Sequence, residues 1–180
     1  HTLYEKPQLP RFPNGNIGDI GFFLTLLKSC HEVFPDILPS RWQNTRNRLI
    51  KCLLERARSD GSIEVFFDAA LKGFEKQSEA FYLPEALLGL LAWRTVQPEA
   101  IDAVVKNAVA YSADALRVRR NLSSEAATFY ANWQFQLLYH WLEHENDKTA
   151  IDHLEWLVKA IMSSSIAKAA FGASIATVEV

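Results

Sequence analysis

The chain has 180 residues, 49% of them hydrophobic, and a formal net charge of −2 at neutral pH. That length and composition fit one folded domain burying roughly 70% of its unfolded surface, and they exclude a disordered or collagen-like polypeptide. The near-zero charge gives no global attraction to nucleic acid or anionic membranes, and no apolar run reaches the ~18 residues of a membrane span.

In chain order, Pro7, Pro10 and Pro13 predict an extended arm or linker over residues 1–15. A first helix is expected from about Ile17 to Phe34, stopped by Pro35. Its inner stripe is Ile20, Phe23, Leu24, Leu27, Cys30 and Phe34. Phe22, Leu26 and Val33 widen that stripe so far that the helix should be covered on more than one side. A second helix runs from the Ser40/Gln43 capping box to about Arg58, with Trp42, Leu49, Ile50, Leu53, Leu54 and Ala57 inward and Gly61 left-handed near its end. Arg46 falls on that apolar face, so it must snorkel or find a carboxylate.

A third helix is expected from Ser62 to about Gln77, the 3.6-residue period outweighing the β propensity of Ile63 to Phe67. Two matching helix starts follow, Pro84-Glu85-Ala86 and Pro98-Glu99-Ala100, since proline suits the first turn and glutamate the positive helix end. The helix over residues 84–96 is Leu, Ala and Gly nearly all round, which only an enclosed helix tolerates. The next is expected from Pro98 to about Arg120. An aromatic helix runs from about Ser124 to Glu145, carrying Phe129, Tyr130, Trp133, Phe135, Tyr139 and Trp141. The last runs from Thr149 to about Met162, with Asp152 in a capping-box-like start and Ile151, Leu154, Leu157, Val158 and Ile161 as its inner stripe.

The resulting fold class is all-α: an antiparallel bundle of about seven to eight helices, or a short stack of helical hairpins, around an apolar central helix near 84–96. Residues 16–180 form a single helical domain. The start at His1 without Met and the unpunctuated end at Val180 read as a piece of a longer protein. Cys30 and Cys52 lie in apolar stripes as reduced thiols, which points to the cytoplasm or nucleus.

Site chemistry is sparse. No nucleophile elbow, phosphate loop, Cys-x-x-Cys or Glu-x-x-His pattern occurs, so no catalytic residue and no cofactor are expected. His140-Trp141-Leu142-Glu143-His144 matches the inverted zinc-protease pattern, and His140 and His144 share a helix face. That family needs a mixed α/β domain, however, and only 36 residues follow His144. A helical metal site adding Asp147, Asp152 or His153 is the looser version. Arg41, Arg48, Lys51, Arg56 and Arg58 gather on the outer face of the helix over residues 41–58, a candidate patch for nucleic acid or phosphate. Trp156 lies away from the expected inner stripe, beside His153 and Lys159, and an exposed Trp among polar neighbours marks a partner contact. The function expected first is therefore a non-enzymatic protein-interaction domain, an adaptor or scaffold. A nucleic-acid or phosphate module and a metal-binding bundle are the alternatives.

Overall fold

The structure is a computed structural model in which residues 15–34, 40–68, 71, 75–116 and 125–163 are described. Among these it contains six α-helices and no strand: α1 (Ile17–Val33), α2 (Ser40–Arg56), α3 (Glu75–Ala92), α4 (Pro98–Tyr111), α5 (Glu125–Leu142) and α6 (Lys148–Ser163). The fold is thus an all-helical bundle, with six helices in place of the seven to eight expected. A 3₁₀ turn over Arg94–Val96 precedes α4, and a π-helical turn over Ser112–Leu116 follows it. None of the described helices is long and apolar enough to cross a membrane. Apart from Gly15, the proline-rich arm lies outside the described residues, as do residues 164–180.

The apolar helix is central, as its composition demands. α3 touches α1, α2, α4 and α5, and its most extensive contact is with α1. Ala80, Leu83, Ala86, Leu87, Leu90 and Leu91 are buried along it, each large side chain removed from water stabilising the fold by roughly 1.5–3 kcal/mol. Glycine explains how closely α1 and α3 approach. A Cβ on Gly21 would lie 2.7 Å from Ala86 Cα, and one on Gly89 would lie 2.6 Å from Gly21 Cα. The two backbones meet where neither helix carries a side chain.

α3 also corrects two expectations. It begins at Glu75 and passes through Pro84, which sits inside the helix. Pro84-Glu85-Ala86 is therefore no helix start, whereas Pro98-Glu99-Ala100 is one, with Pro98 in the first turn of α4. The difference lies upstream. Ala80, Leu83, Leu87 and Leu90 form one buried row across Pro84, so packing on both sides outweighs the missing N–H and the ring clash. Ahead of Pro98, the 3₁₀ turn has already broken the row.

The helix expected from Ser62 is absent from its first part, and the chain there is irregular and partly extended. Asp60 accepts from Ser62 N at 2.9 Å and Ser62 Oγ at 2.7 Å, an Asx turn that competes with helix initiation. Gly61 takes φ +87°, the left-handed conformation that glycine adopts without strain. Single bridge pairs then join Ala57 to Ile63 and Asn16 to Phe66. The Val65 carbonyl accepts from Ile17 N at 3.0 Å, satisfying an otherwise orphaned donor in the first turn of α1. The side chain of Asn16 closes a capping box with Asp19, a start signal not expected from the sequence.

α6 is rotated relative to expectation. Ala150, His153 and Leu157 are buried, while Ile151 and Val158 are exposed. Its cap is Asp147, whose Oδ1 accepts from Thr149 N at 2.9 Å and Ala150 N at 3.3 Å. Asp152 plays no part in that cap. Asp147 Oδ2 also accepts from Trp141 Nε1 at 3.0 Å, so one carboxylate starts α6 and fastens it to the end of α5.

Candidate functional site

A groove between α1 and α5

α1 and α5 both pack on α3, and an open groove of about 900 Å³ lies between them. Glu85, Leu88, Leu91 and Ala92 of α3 line it from below. Phe22, Thr25, Lys28, Ser29 and Glu32 of α1 form one wall, and Trp133, Gln136, His140 and then His144 form the other. Arg94, Thr95 and Pro98 close one end. The walls meet where the Phe22 and Trp133 rings pack edge to face, centroids 5.1 Å apart, an arrangement aromatic pairs favour.

Apolar surface continues outward from the groove. Phe22, Leu26 and Val33, at helical spacing on the outer face of α1, are exposed by 47%, 58% and 66%, and Phe34 follows them. The sequence implied that this wide apolar stripe must be covered. Among the described residues it is open.

The two permanent cations of the groove are engaged. Lys28 Nζ lies 3.3 Å from Glu32 Oε1. Arg94 donates through Nε and Nη2 to the two carboxylate oxygens of Asp102, each at 2.6 Å, and through Nη2 to Glu145. Those bonds, foremost the one to Asp102, raise the guanidinium pKa further, and they tie the 3₁₀ turn to α4 and to the segment after α5. His140 Nδ1 and Glu143 Oε2 are 3.0 Å apart. The Tyr139 hydroxyl first, and then His140, hold the Glu143 carboxyl below its ordinary value.

Glu85 is different. It is half-buried, and neither a hydrogen bond nor an ion pair joins it to any described side chain. Burial, and then the negative charge of Asp19, push its pKa up from 4.5 to about 7. A carboxyl at the base of an aromatic-walled groove, poised between its neutral and charged forms, is the chemically most unusual group of the described fold. The sequence did carry a signal for it, because Glu85 is the one charge between Leu83 and Trp93.

Placement of the expected site residues

His140 and His144 both line this groove, so the structure brings them together on one wall. No group of three or more His, Cys, Asp or Glu side chains among the described residues is arranged to hold a metal ion.

The basic face of α2 is thinner than its sequence implied. Arg48 and Lys51 are exposed, and Lys51 pairs with Glu55 at 3.5 Å. Arg56 is drawn into the fold: it pairs with Glu64 at 3.3 Å, donates to the Phe66 carbonyl at 3.2 Å and stacks 4.1 Å over the Phe67 ring. Arg58 donates to Ser62 Oγ at 3.2 Å. The side chain of Arg41 lies outside the described residues. Arg46 stacks over the Trp93 ring at 4.6 Å and donates to Asn47 Oδ1; an aromatic face and an amide take the place of the expected carboxylate.

In α6, His153 is buried, with the Trp156 ring stacked on it at 5.6 Å and 7°. Trp156 is partly buried and packs against the core. Lys159 is exposed and pairs with Glu155 at 3.3 Å. The same rotation that exposes Ile151 and Val158 turns the His153–Trp156 side inward. Cys30 and Cys52 are free and partly buried.

No protein-family model, curated protein or solved structure matches this chain.

Proposed function

We propose that the domain is a non-enzymatic docking module for another protein, and that the α1–α5 groove with the outer face of α1 is its recognition surface. The observation that carries this reading is the exposed apolar surface of α1 at Phe22, Leu26 and Val33 beside a groove that holds Leu88, Leu91 and the Phe22–Trp133 pair. Large contiguous apolar patches on a folded surface mark interaction sites. Aromatic anchors beside a pocket are the residues that carry most binding energy at interfaces. An open groove between two helices suits an amphipathic segment laid along it.

Site-specific photo-cross-linking tests this reading. A photoreactive residue at Leu26 should give a discrete protein adduct in native cells, and one at Lys51, on the outer face of α2, should not. Phe22→Asp should abolish the Leu26 adduct without changing the helical circular dichroism. A Leu26 probe that yields no adduct, or one indifferent to Phe22→Asp, refutes the docking surface.

A further inference from the structure

We infer that the partner segment seats a cationic side chain, a lysine or an arginine flanked by apolar residues, on Glu85 at the base of the groove; this rests on the docking surface proposed above. Charge complementarity selects the occupant. Lys28 and Arg94 already have carboxylate partners, and Glu85 has none among the described residues. The charge that acts on it is Asp19, of the same sign. A purely apolar segment closing the groove would leave the carboxyl desolvated and unpaired, which is costly, and an acidic segment would add a second like charge. A lysine or arginine neutralises Glu85, while its alkyl stem covers Leu88 and Leu91. The Phe22–Trp133 pair beside it offers aromatic surface to which a cation is attracted.

Seating the cation is linked to the proton on Glu85. The groups around it are Asp19, Lys28 and Glu32 from α1, Tyr82 on its own helix, Arg94 from the 3₁₀ turn, and His140 and His144 from the α5 side. With the carboxyl titrating at about 7, only the ionised fraction is competent to bind. That fraction rises about tenfold between pH 6 and pH 8, and apparent affinity should follow it.

The test is selection of a displayed library of random 16-residue peptides on the intact chain. Enriched peptides are then measured by fluorescence anisotropy against the wild type, Glu85→Gln and Phe22→Asp. Enriched sequences should share a lysine or arginine with apolar residues three or four positions away. Phe22→Asp should abolish binding, and Glu85→Gln should weaken it about tenfold or more. The wild-type gain between pH 6 and pH 8 should vanish in Glu85→Gln; a gain that persists there overturns the assignment to Glu85. Phe22-dependent peptides that lack a basic residue, or that ignore Glu85→Gln, overturn the cation while leaving the docking surface standing. A selection with no Phe22-dependent peptide removes the docking surface and this inference together.

Discussion

Gly21→Ala probes the contact on which the bundle is built. The added methyl would lie 2.5 Å from the Glu85 carbonyl carbon and 2.7 Å from Ala86 Cα. Carbon atoms settle at about 3.5–4.0 Å, so α1 and α3 must part by roughly 1 Å. Both obstacles are backbone and cannot rotate away. The gap loosens the buried residues on either side of the crossing, Ile17, Ile20 and Leu24 on α1 and Ala86, Leu87 and Leu90 on α3. Over-packing costs about 1–3 kcal/mol, and an unyielding backbone puts this site at the upper end. Alanine recovers about 1 kcal/mol through helix propensity, which leaves a net loss of about 2 kcal/mol. For a chain of this size that lowers Tm by roughly 4–8 °C, readable by thermal circular dichroism. Gly18→Ala should cost less, within about 1 kcal/mol, because its closest obstacle is the free end of the Glu85 side chain. Gly21→Ala and Gly89→Ala together should fall short of additivity, since one opening relieves both. A Gly21→Ala protein that melts at or above the wild-type temperature refutes the backbone crossing.

Four further outcomes follow from the same geometry. Asn16→Ala removes the α1 capping box and should cost about 1 kcal/mol in urea unfolding; no change would mean that the Val65 carbonyl alone secures that end. Gly61→Ala forces a side chain to φ +87° and should cost about 1–2 kcal/mol. Leu157→Ala should cost about 2–5 kcal/mol by cavity formation, whereas Val158→Lys, at 44% exposure, should stay within about 0.5 kcal/mol; equal losses would restore the helix face expected from the sequence. Glu85→Gln should stabilise the protein at pH 8 by about 1.5 kcal/mol and leave it unchanged at pH 4, measured by urea midpoint at both values. Its folded pKa is raised from 4.5 to about 7, so the folded state holds the proton more tightly and stability falls as pH climbs between those values. The full shift corresponds to about 3.4 kcal/mol, roughly halved here for solvent screening at a half-buried site.

The helical class and the central position of the Leu-Ala-Gly helix were legible in the sequence because burial on all sides leaves no polar face, and nothing else explains Leu83 to Trp93. The inner stripe of α2, and that of α1 through Leu27, were legible by periodicity, whereas Phe34, expected inward, is exposed beyond the end of α1. Rotation failed in α6, whose apolar residues are spread widely enough to fit two faces. The inward side was decided by His153 and Trp156, which a polarity pattern assigns to solvent. Pro84 misled because local preference places proline at a helix start, while the deciding term is a buried row that crosses it from Ala80 to Leu90. The segment after Gly61 misled in the opposite direction: its 3.6-residue period is real, but the Asx turn at Asp60 and the open donor at Ile17 draw it into an extended path. Of the candidate site, Phe22 was visible as surplus apolar surface on α1. Its alignment with Trp133 and Glu85 was not, because it depends on how α1 and α5 straddle α3.

That alignment gives Glu85 its meaning. A helix enclosed by apolar neighbours has no structural use for a carboxylate at its middle. Glutamine, of nearly the same shape, would carry no charge to desolvate, and alanine would favour the helix more. The fold instead retains a group that weakens it as pH climbs from 4.5 to about 7 and that no described neighbour neutralises. Such local costs concentrate at functional sites, where a residue is set by what it meets rather than by what it stabilises. The glycine crossing sharpens the point. Because Gly18 and Gly21 carry no side chains, α1 lies close against α3 and denies Glu85 water on one side. The groove leaves its other side open, and among the described residues no cation occupies it, which is the opening that the proposed partner side chain would fill.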